Sequence, residues 1–311
     1  MADANWKTLD QKHLCLPGLT PKTFWPSEEK ALGSGNHLGV TRIGNDMTNR
    51  EVEAVLRYWD SHPLGGQYVR DSDLVPGSAG YFAHIRPWMS GYKFPWIKVR
   101  IERESVLLKG KHLLEIGCGM GFDSVEFLKR GVRVTATDLT PTAVEFTRKH
   151  FGVERLQAED VRVENVRALT FSDDTFDAVW ARGVLHCTGN SQESIREIHR
   201  VLKPGGRAII SHFYRRPSWM FWISRLGREN IEYKEEDPPV NDFLSENEIL
   251  TMFDGFDIVE AVAEHYRALP VARRGLKAFL YMWLFRPLYN LIPEYLAKKL
   301  AYKFSVTAIK R

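Results

Sequence analysis

Apolar positions along this chain switch between two periods, and the switching predicts its elements. Val52, Val55, Leu56 and Trp59 recur at helical spacing behind Thr48-Asn49-Arg50-Glu51, whose Thr-x-x-Glu order is a capping box. A helix is predicted from there to near Asp60. Leu113 to Ile116 reads as an apolar strand, interrupted by Glu115, that breaks into Gly117-Cys118-Gly119-Met120-Gly121. Val132 to Thr137 reads as a short β-branched strand ended by Asp138, and Thr140-Pro141 has the order of an N-cap followed by the first helical residue. A third strand is expected at about Val153 to Ala158 and a fourth within Leu169 to Trp180. Asn190 and Glu193 cap a helix with Ile195, Ile198, Val201 and Leu202 facing inward. Further strands are expected near Arg207 to Phe213, from Phe256 to Ala263 and from Lys303 to Ile309. Strands alternating with helices predict an α/β protein with a mostly parallel, doubly wound sheet. Residues 1–47 mix Gly, Pro and aromatics without a period and read as an irregular arm, whereas Tyr81 to Trp96, with His84 and Arg86, reads as a cap above the core.

The glycine run carries the first chemical signal, because alternating glycines after a strand let the backbone approach a nucleotide-like ligand closely. A dinucleotide fingerprint, Gly-x-Gly-x-x-Gly, needs its third glycine where this chain has Phe122, which disfavours an NAD(P)-dependent oxidoreductase. With Glu115 in front, the run resembles motif I of class I S-adenosylmethionine (SAM) dependent methyltransferases. The likeness continues through Leu169-Thr170-Phe171-Ser172-Asp173-Asp174-Thr175-Phe176-Asp177-Ala178-Val179, where Thr170 replaces the family's proline. Gly183-Val184-Leu185-His186-Cys187 is similar to the family's Gly-Val-Leu-His-His, with Cys187 at the second histidine, and Arg200-Val201-Leu202-Lys203-Pro204-Gly205-Gly206 matches the next signature. These segments span roughly Lys109 to Phe213. The resemblance implies a Rossmann-like core of seven strands, the last antiparallel, with SAM as cofactor and methyl transfer to a small-molecule acceptor. An O or N atom of an aromatic or amphipathic metabolite is the favoured acceptor. A SAM-binding scaffold without catalysis is the other reading.

Within that resemblance, Gly117, Cys118, Gly119 and Gly121 would face the methionine end of SAM, and Glu115 would anchor waters or the ammonium group. Asp138, with Leu139 beside it, would take the ribose hydroxyls, or serve only as a helix-capping carboxylate. Asp160 would bond the adenine amino group with Val161 packed on the ring, or be a turn residue. Arg182 would reach the cofactor's carboxylate or the acceptor, or lie in a solvated loop. His186, just past strand four, is the candidate general base, its alternative being a loop support. His84 and Tyr81 are rival bases, and Cys187 reads as a small buried hydrophobe.

Composition sets outer bounds. The 311 residues are 44% hydrophobic and 26% charged, ordinary for a globular protein large enough to bury a full core. The N-terminal residues carry no basic segment followed by an apolar one, and Cys15, Cys118 and Cys187 lie far apart, which predicts reduced thiols, no metal site and a cytoplasmic protein. The net charge of +4 is uneven: Glu264 to Arg311 holds ten Lys or Arg against two Glu. Beside it Ala278 to Phe285 is unbroken apolar sequence, shorter than the ~20 residues a bilayer span needs. Trp219, Phe221 and Trp222 together with Phe279, Tyr281, Trp283 and Phe285 would wall the acceptor site or be core, and the basic surplus would contact a membrane surface peripherally, bind a phosphorylated acceptor or simply be solvated. No nucleic-acid module is recognisable. The domains expected are an arm and cap over 1–105, a SAM-binding core over 106–263 with 303–311, and a helical insertion over 264–302.

Overall fold

The structure, a computed structural model, describes residues 49–63, 65–66, 69, 72–89, 95–218, 239–264, 279, 283–284 and 286–311. Three helices precede the sheet: α1 (Asn49–Ser61), α2 (Ala79–Pro87) and α3 (Pro95–Leu108). Then follow β1 (His112–Ile116), α4 (Phe122–Lys129), β2 (Arg133–Asp138), α5 (Pro141–Glu154), β3 (Asp160–Val163) and β4 (Phe176–Arg182). The chain continues through α6 (Ser191–Val201), β5 (Leu202–Arg215), β6 (Phe243–Leu244), α7 (Glu246–Thr251) and β7 (Phe256–Glu264), and closes with α8 (Arg286–Leu291), α9 (Glu294–Leu300) and β8 (Lys303–Lys310).

The sheet order is β3-β2-β1-β4-β5-β8-β7, with β6 added alongside β5. All pairings are parallel except those of β8, which runs antiparallel between β5 and β7. This is the Rossmann-like arrangement expected, with one strand more, the two-residue β6, too short to leave a periodic signal.

Side-chain alternation sorts the strands' residues onto two faces. Leu114, Ile116, Val179, Ala181 and Ile210 pack against Ile195 and Ile198 of α6 and Ile249 of α7. Leu113, Val134, Ala136, Trp180 and Ile209 pack on the other face against α3, α4 and α5 through Ile97, Ile101, Val125, Phe127, Val144 and Phe151. Helix α3 therefore belongs to the core layer, and the boundary expected at 105/106 falls inside it. The N-cap roles of Thr140 and Asn190 are as expected: their side chains accept from the amides of Ala143 and Glu193. Thr48, the cap expected for α1, lies outside the described residues, as do residues 1–47 and the Trp219–Ile223 aromatics.

The third strand differs from expectation. Helix α5 runs on to Glu154, so Val153 is helical, and Arg155 closes it in the left-handed region at φ 55°. Leu156 and Ala158 pack on the core from the connection, and the strand itself begins only at Asp160. Their apolar spacing marks burial beneath a loop, not a ladder.

The cap seats on the glycine turn. Tyr81, Phe82 and Ile85 of α2 form a buried cluster with Met89, Met120 and Phe122. Phe82 stacks on the His150 ring of α5 at 4.1 Å. His150 Nδ1 donates to the Met120 carbonyl at 2.7 Å, and Nε2 faces the Arg86 guanidinium at 3.3 Å. A carbonyl only accepts and a guanidinium only donates, so the ring is held neutral with its proton on Nδ1. Burial, assisted by Arg86 and Lys129 and resisted by the Met120 bond and Glu154, lowers its pKa to about 4.

A histidine whose folded pKa lies below its unfolded value makes the unfolded chain bind the proton first, so stability falls as pH drops from about 6.5 towards 4. Urea unfolding at pH 6.5 and 5.0 should show a loss that shrinks by about 2 kcal/mol in His150→Gln. Equal losses in both proteins would contradict the buried neutral ring.

Candidate functional site

The carboxyl ends of β1, β2, β3 and β4 open on one cleft with about 1030 Å³ of empty space, part of it open to solvent. In open α/β sheets this is where ligands bind. Helix α1 roofs it through Val52, Val55 and Trp59, and Asp60 of the same helix accepts the Thr142 amide at the start of α5. The apolar stripe that predicted this helix is thus a wall of the cleft.

The turn after β1 is the floor. Gly117 has φ +71°, and a Cβ there would lie 2.2 Å from Val184 Cγ2, so only glycine fits. Gly119 also has a positive φ, +55°, but a Cβ there would meet nothing within 4 Å. The floor is therefore tight against the protein at Gly117 and bare at Gly119, a cradle that side chains would fill. Gly121 supports the turn from outside the cleft as the N-cap residue of α4.

Asp138 stands across the cleft at the end of β2. Its Oδ2 accepts the Gly119 amide at 3.0 Å, and its Oδ1 accepts both the amide and the hydroxyl of Thr140 at 3.0 Å. Burial raises its pKa, and these bonds work against that. Leu139 lines the cleft beside it.

The remaining expected residues divide into three groups. Arg182 lines the cleft with Gly117, Gly119, Asp138 and Leu139, but its guanidinium grips Asp123 of α4 at 2.6 and 2.9 Å. Trp180 Nε1 donates to the same carboxylate at 2.9 Å. Arg182 is therefore a clamp on the first turn of α4, not a solvated loop residue. Glu115 and Cys118 lie beneath the floor. Glu115 is buried, accepts from Ser124, and has its pKa raised by burial and then by Asp123. Burial pushes the Cys118 thiol up as well, and Thr147 donates to its sulfur at 3.3 Å.

Asp160 and Val161 are not brought to the cleft. Because β3 starts at Asp160, these residues sit at the end of the strand away from the ligand side; Thr135 pairs with Asp160 while Asp138 pairs with Val163. Asp160 is half-exposed and paired with Arg162 at 3.0 Å. The residues that leave β3 on the ligand side are Glu164, Asn165 and Val166, all lining the cleft. Their signal in the sequence was their short distance from Leu169-Thr170-Phe171, obscured by the misplaced strand. His186 is buried and stacks on Tyr214 at 4.0 Å, and Cys187 and Thr188 take the cleft wall in its place. Of the rival bases, Tyr81 is packed in the cap cluster and His84 is exposed.

Residues 114–210 match the family model described as Methyltransferase domain. Over that stretch, under a third of its length, the chain is similar to methyltransferase domains. A ubiquinone biosynthesis O-methyltransferase of Xanthomonas oryzae pv. oryzae is 36% identical over 125 residues, covering 40% of this chain and 52% of the relative. One of Coxiella burnetii is 26% identical over 115 residues, 37% of this chain and 49% of that one. The chain spans about half the length of the curated relatives it matches. Among solved structures, the cyclase SpnF covers 82% of this chain and 94% of its own at 18% identity and TM-score 0.52. A structure described for conversion of a disulfide bond into a thioacetal group during echinomycin biosynthesis covers 82% and 92% at 20% identity and TM-score 0.51. Those two share the fold. The residues present fit SAM: a bare backbone floor, a carboxylate facing it across the cleft, and polar groups with an apolar neighbour beyond β3.

Gly117→Ala should unfold at markedly lower denaturant than wild type, whereas Gly119→Ala should lose only about 1–2 kcal/mol, the backbone cost alone. Adding Val184→Ala should restore part of the Gly117→Ala loss. Equal effects at both glycines would contradict the tight contact at Gly117.

Proposed function

We propose that the protein binds SAM in this cleft and transfers its methyl group to a small-molecule acceptor, with oxygen or nitrogen as the receiving atom. The observation that carries the reading is Asp138, whose carboxylate joins the bare Gly119 floor to the start of α5 at the point where a ribose would lie. In this reading Gly117 and Gly119 give backbone room to the methionine end, Arg182 holds α4 in place through Asp123, and Glu115 fixes the floor from below. Asp138 Oδ2, which takes one protein bond where Oδ1 takes two, accepts from the ribose. Glu164 or Asn165 meets the adenine edge while Leu139 and Val166 pack on its faces, the roles that Asp160 and Val161 do not fill. Trp59, Val52 and Val55 exclude water from above. The cofactor supplies a methyl group on a sulfonium centre, and the protein's task is to orient the acceptor atom in line with it.

The segment 264–302 is proposed as an insertion beside the acceptor site. Tyr281 and Phe285 lie outside the described residues, but Phe279, Trp283, Leu284, Leu288, Leu291 and Tyr295 are exposed there. Lys298 and Lys299 lie in the last turn of α9. Among the described residues no helix is long and apolar enough to cross a membrane. Exposed Trp and Leu beside basic residues suit peripheral contact with an anionic surface, which would bring an amphipathic acceptor to the site.

Two measurements check these readings. Asp138→Asn should weaken calorimetric SAM affinity tenfold or more, since a charge-assisted acceptor is lost, with the fold retained. Unchanged affinity would contradict the ribose assignment. The protein should sediment with phosphatidylserine-containing vesicles at low salt, and the bound fraction should fall as salt rises. No sedimentation at low salt would contradict membrane contact and leave the cleft assignment standing.

A further inference from the structure

Beneath the glycine turn the fold buries two carboxyl groups beside one guanidinium. Glu115 of β1 and Asp123 of α4 are each only 3% exposed. Arg182 of β4 gives two nitrogens to Asp123, at 2.6 and 2.9 Å, and the Trp180 indole donates to the same carboxylate at 2.9 Å. With three donors, two of them charged, Asp123 is the ionised member of the pair. The Glu115 carboxyl has the Ser124 hydroxyl as its hydrogen-bond partner among the described residues.

Two buried carboxylates beside a single cation repel one another too strongly for both to ionise at neutral pH. The proton falls to Glu115, because one hydroxyl offsets little of the cost of burying a charge. Burial first, and then Asp123, raise its pKa, while Ser124 and Arg182 pull the other way. The remaining neighbours bring no second cation. From β2 come the Thr137 hydroxyl, which donates to the Glu115 backbone carbonyl at 2.8 Å, and beyond it the Asp138 carboxylate. The turn brings the Cys118 thiol, whose own pKa is pushed up, and α5 brings Thr147. His212 of β5, which feels Arg182, has its pKa lowered to about 4 and is uncharged. Glu115 is therefore a neutral acid at pH 7 in the free protein.

Its position gives that proton a use. Glu115 lies two residues before Gly117, and Arg182 lines the cleft together with Gly117 and Gly119. The cluster thus sits under the part of the floor assigned above to the methionine end of SAM. SAM and its demethylated product differ there by one charge, a sulfonium against a neutral thioether. With Glu115 protonated, Asp123 cancels Arg182 and the cluster carries no net charge; with Glu115 ionised it carries one negative charge. We propose that Glu115 distinguishes cofactor from product, losing its proton when a cationic sulfur binds over the floor and keeping it under a neutral one. The inference rests on the methyltransferase reading and adds to it the residue that sets the preference for SAM over its product.

The proton balance is simple. On SAM binding the Glu115 O–H bond breaks, its electron pair stays on oxygen and the proton passes to water. An opposite charge a few ångströms away lowers a carboxyl pKa by about 1–3, enough to carry a raised value back through neutrality. Once the methyl group has left, the sulfur is neutral and Glu115 takes a proton back from water. The product then lies over an uncharged floor and has lost the attraction that held the cofactor. Because the ionised form binds SAM more tightly, SAM affinity rises with pH through the neutral range, by at most tenfold per pH unit for one proton. Product affinity stays level.

Calorimetric titration at pH 7 in phosphate and in Tris, buffers of different protonation enthalpy, counts the protons exchanged. The wild-type protein should release about half a proton or more per site with SAM, and far less with the demethylated product. Infrared difference spectra of the wild-type protein should show a protonated carboxyl band lost on adding SAM and retained on adding the product. Glu115→Gln should bind SAM without that release and without that band, which also subtracts any proton exchanged by the ligand's own amine. Equal release with both ligands, no release with bound SAM, or release that persists in Glu115→Gln would overturn the proposal. If the variant does not fold, the comparison of the two ligands and the infrared band in the wild-type protein decide alone. A wild-type protein that binds neither ligand would overturn the methyltransferase reading and this inference together, whereas one that binds both with the same proton count would overturn this inference only.

Discussion

The Asp138 carboxylate is the constraint on which the site depends. By accepting from Gly119 and from Thr140, it ties the turn after β1 to the end of β2 and the start of α5. The height of the glycine turn above the sheet is set by that tie together with Thr147, whose hydroxyl donates to the Gly119 carbonyl at 3.1 Å. Arg182 and Asp123 give a second brace, joining the end of β4 to the first turn of α4. Removing one member of such a buried pair strands the other charge, at a cost of about 3–5 kcal/mol. The cleft is thus shaped by polar bonds between neighbouring strand ends, while the apolar layers on either face of the sheet keep those ends in register.

Much of this was legible in the sequence because the signals were local. A capped helix start at Thr140-Pro141 or Asn190 depends on a few consecutive residues, and β1 and β2 each carry four consecutive buried residues ahead of turn residues. The error at β3 has a physical source. Its four residues lie near the sheet edge, with Asp160 and Val163 exposed, so the strand carries little apolar signal of its own. The more apolar Val153 to Ala158 stretch was instead helix end and buried connection. That displacement set the expected adenine contacts at Asp160-Val161, at the end of β3 away from the cleft that Glu164, Asn165 and Val166 line.

The site's other surprises come from long-range pairing, which no local pattern encodes. Arg182 finds Asp123 across 59 positions. His186 carried the sequence-level signal for a base, being next to a family motif, yet it is stacked against Tyr214 away from the cleft wall.

The central claim is the position of the cofactor, and hydrogen–deuterium exchange with and without SAM's demethylated product tests it most directly. Exchange should slow in three segments: the turn at 117–121, the β2 end at 138–140 and the loop at 164–167. It should slow also in α1 over the cleft, with 160–161 unchanged. Slowing centred on 160–161, or none at 117–121 and 138–140 while the ligand is bound, would contradict it.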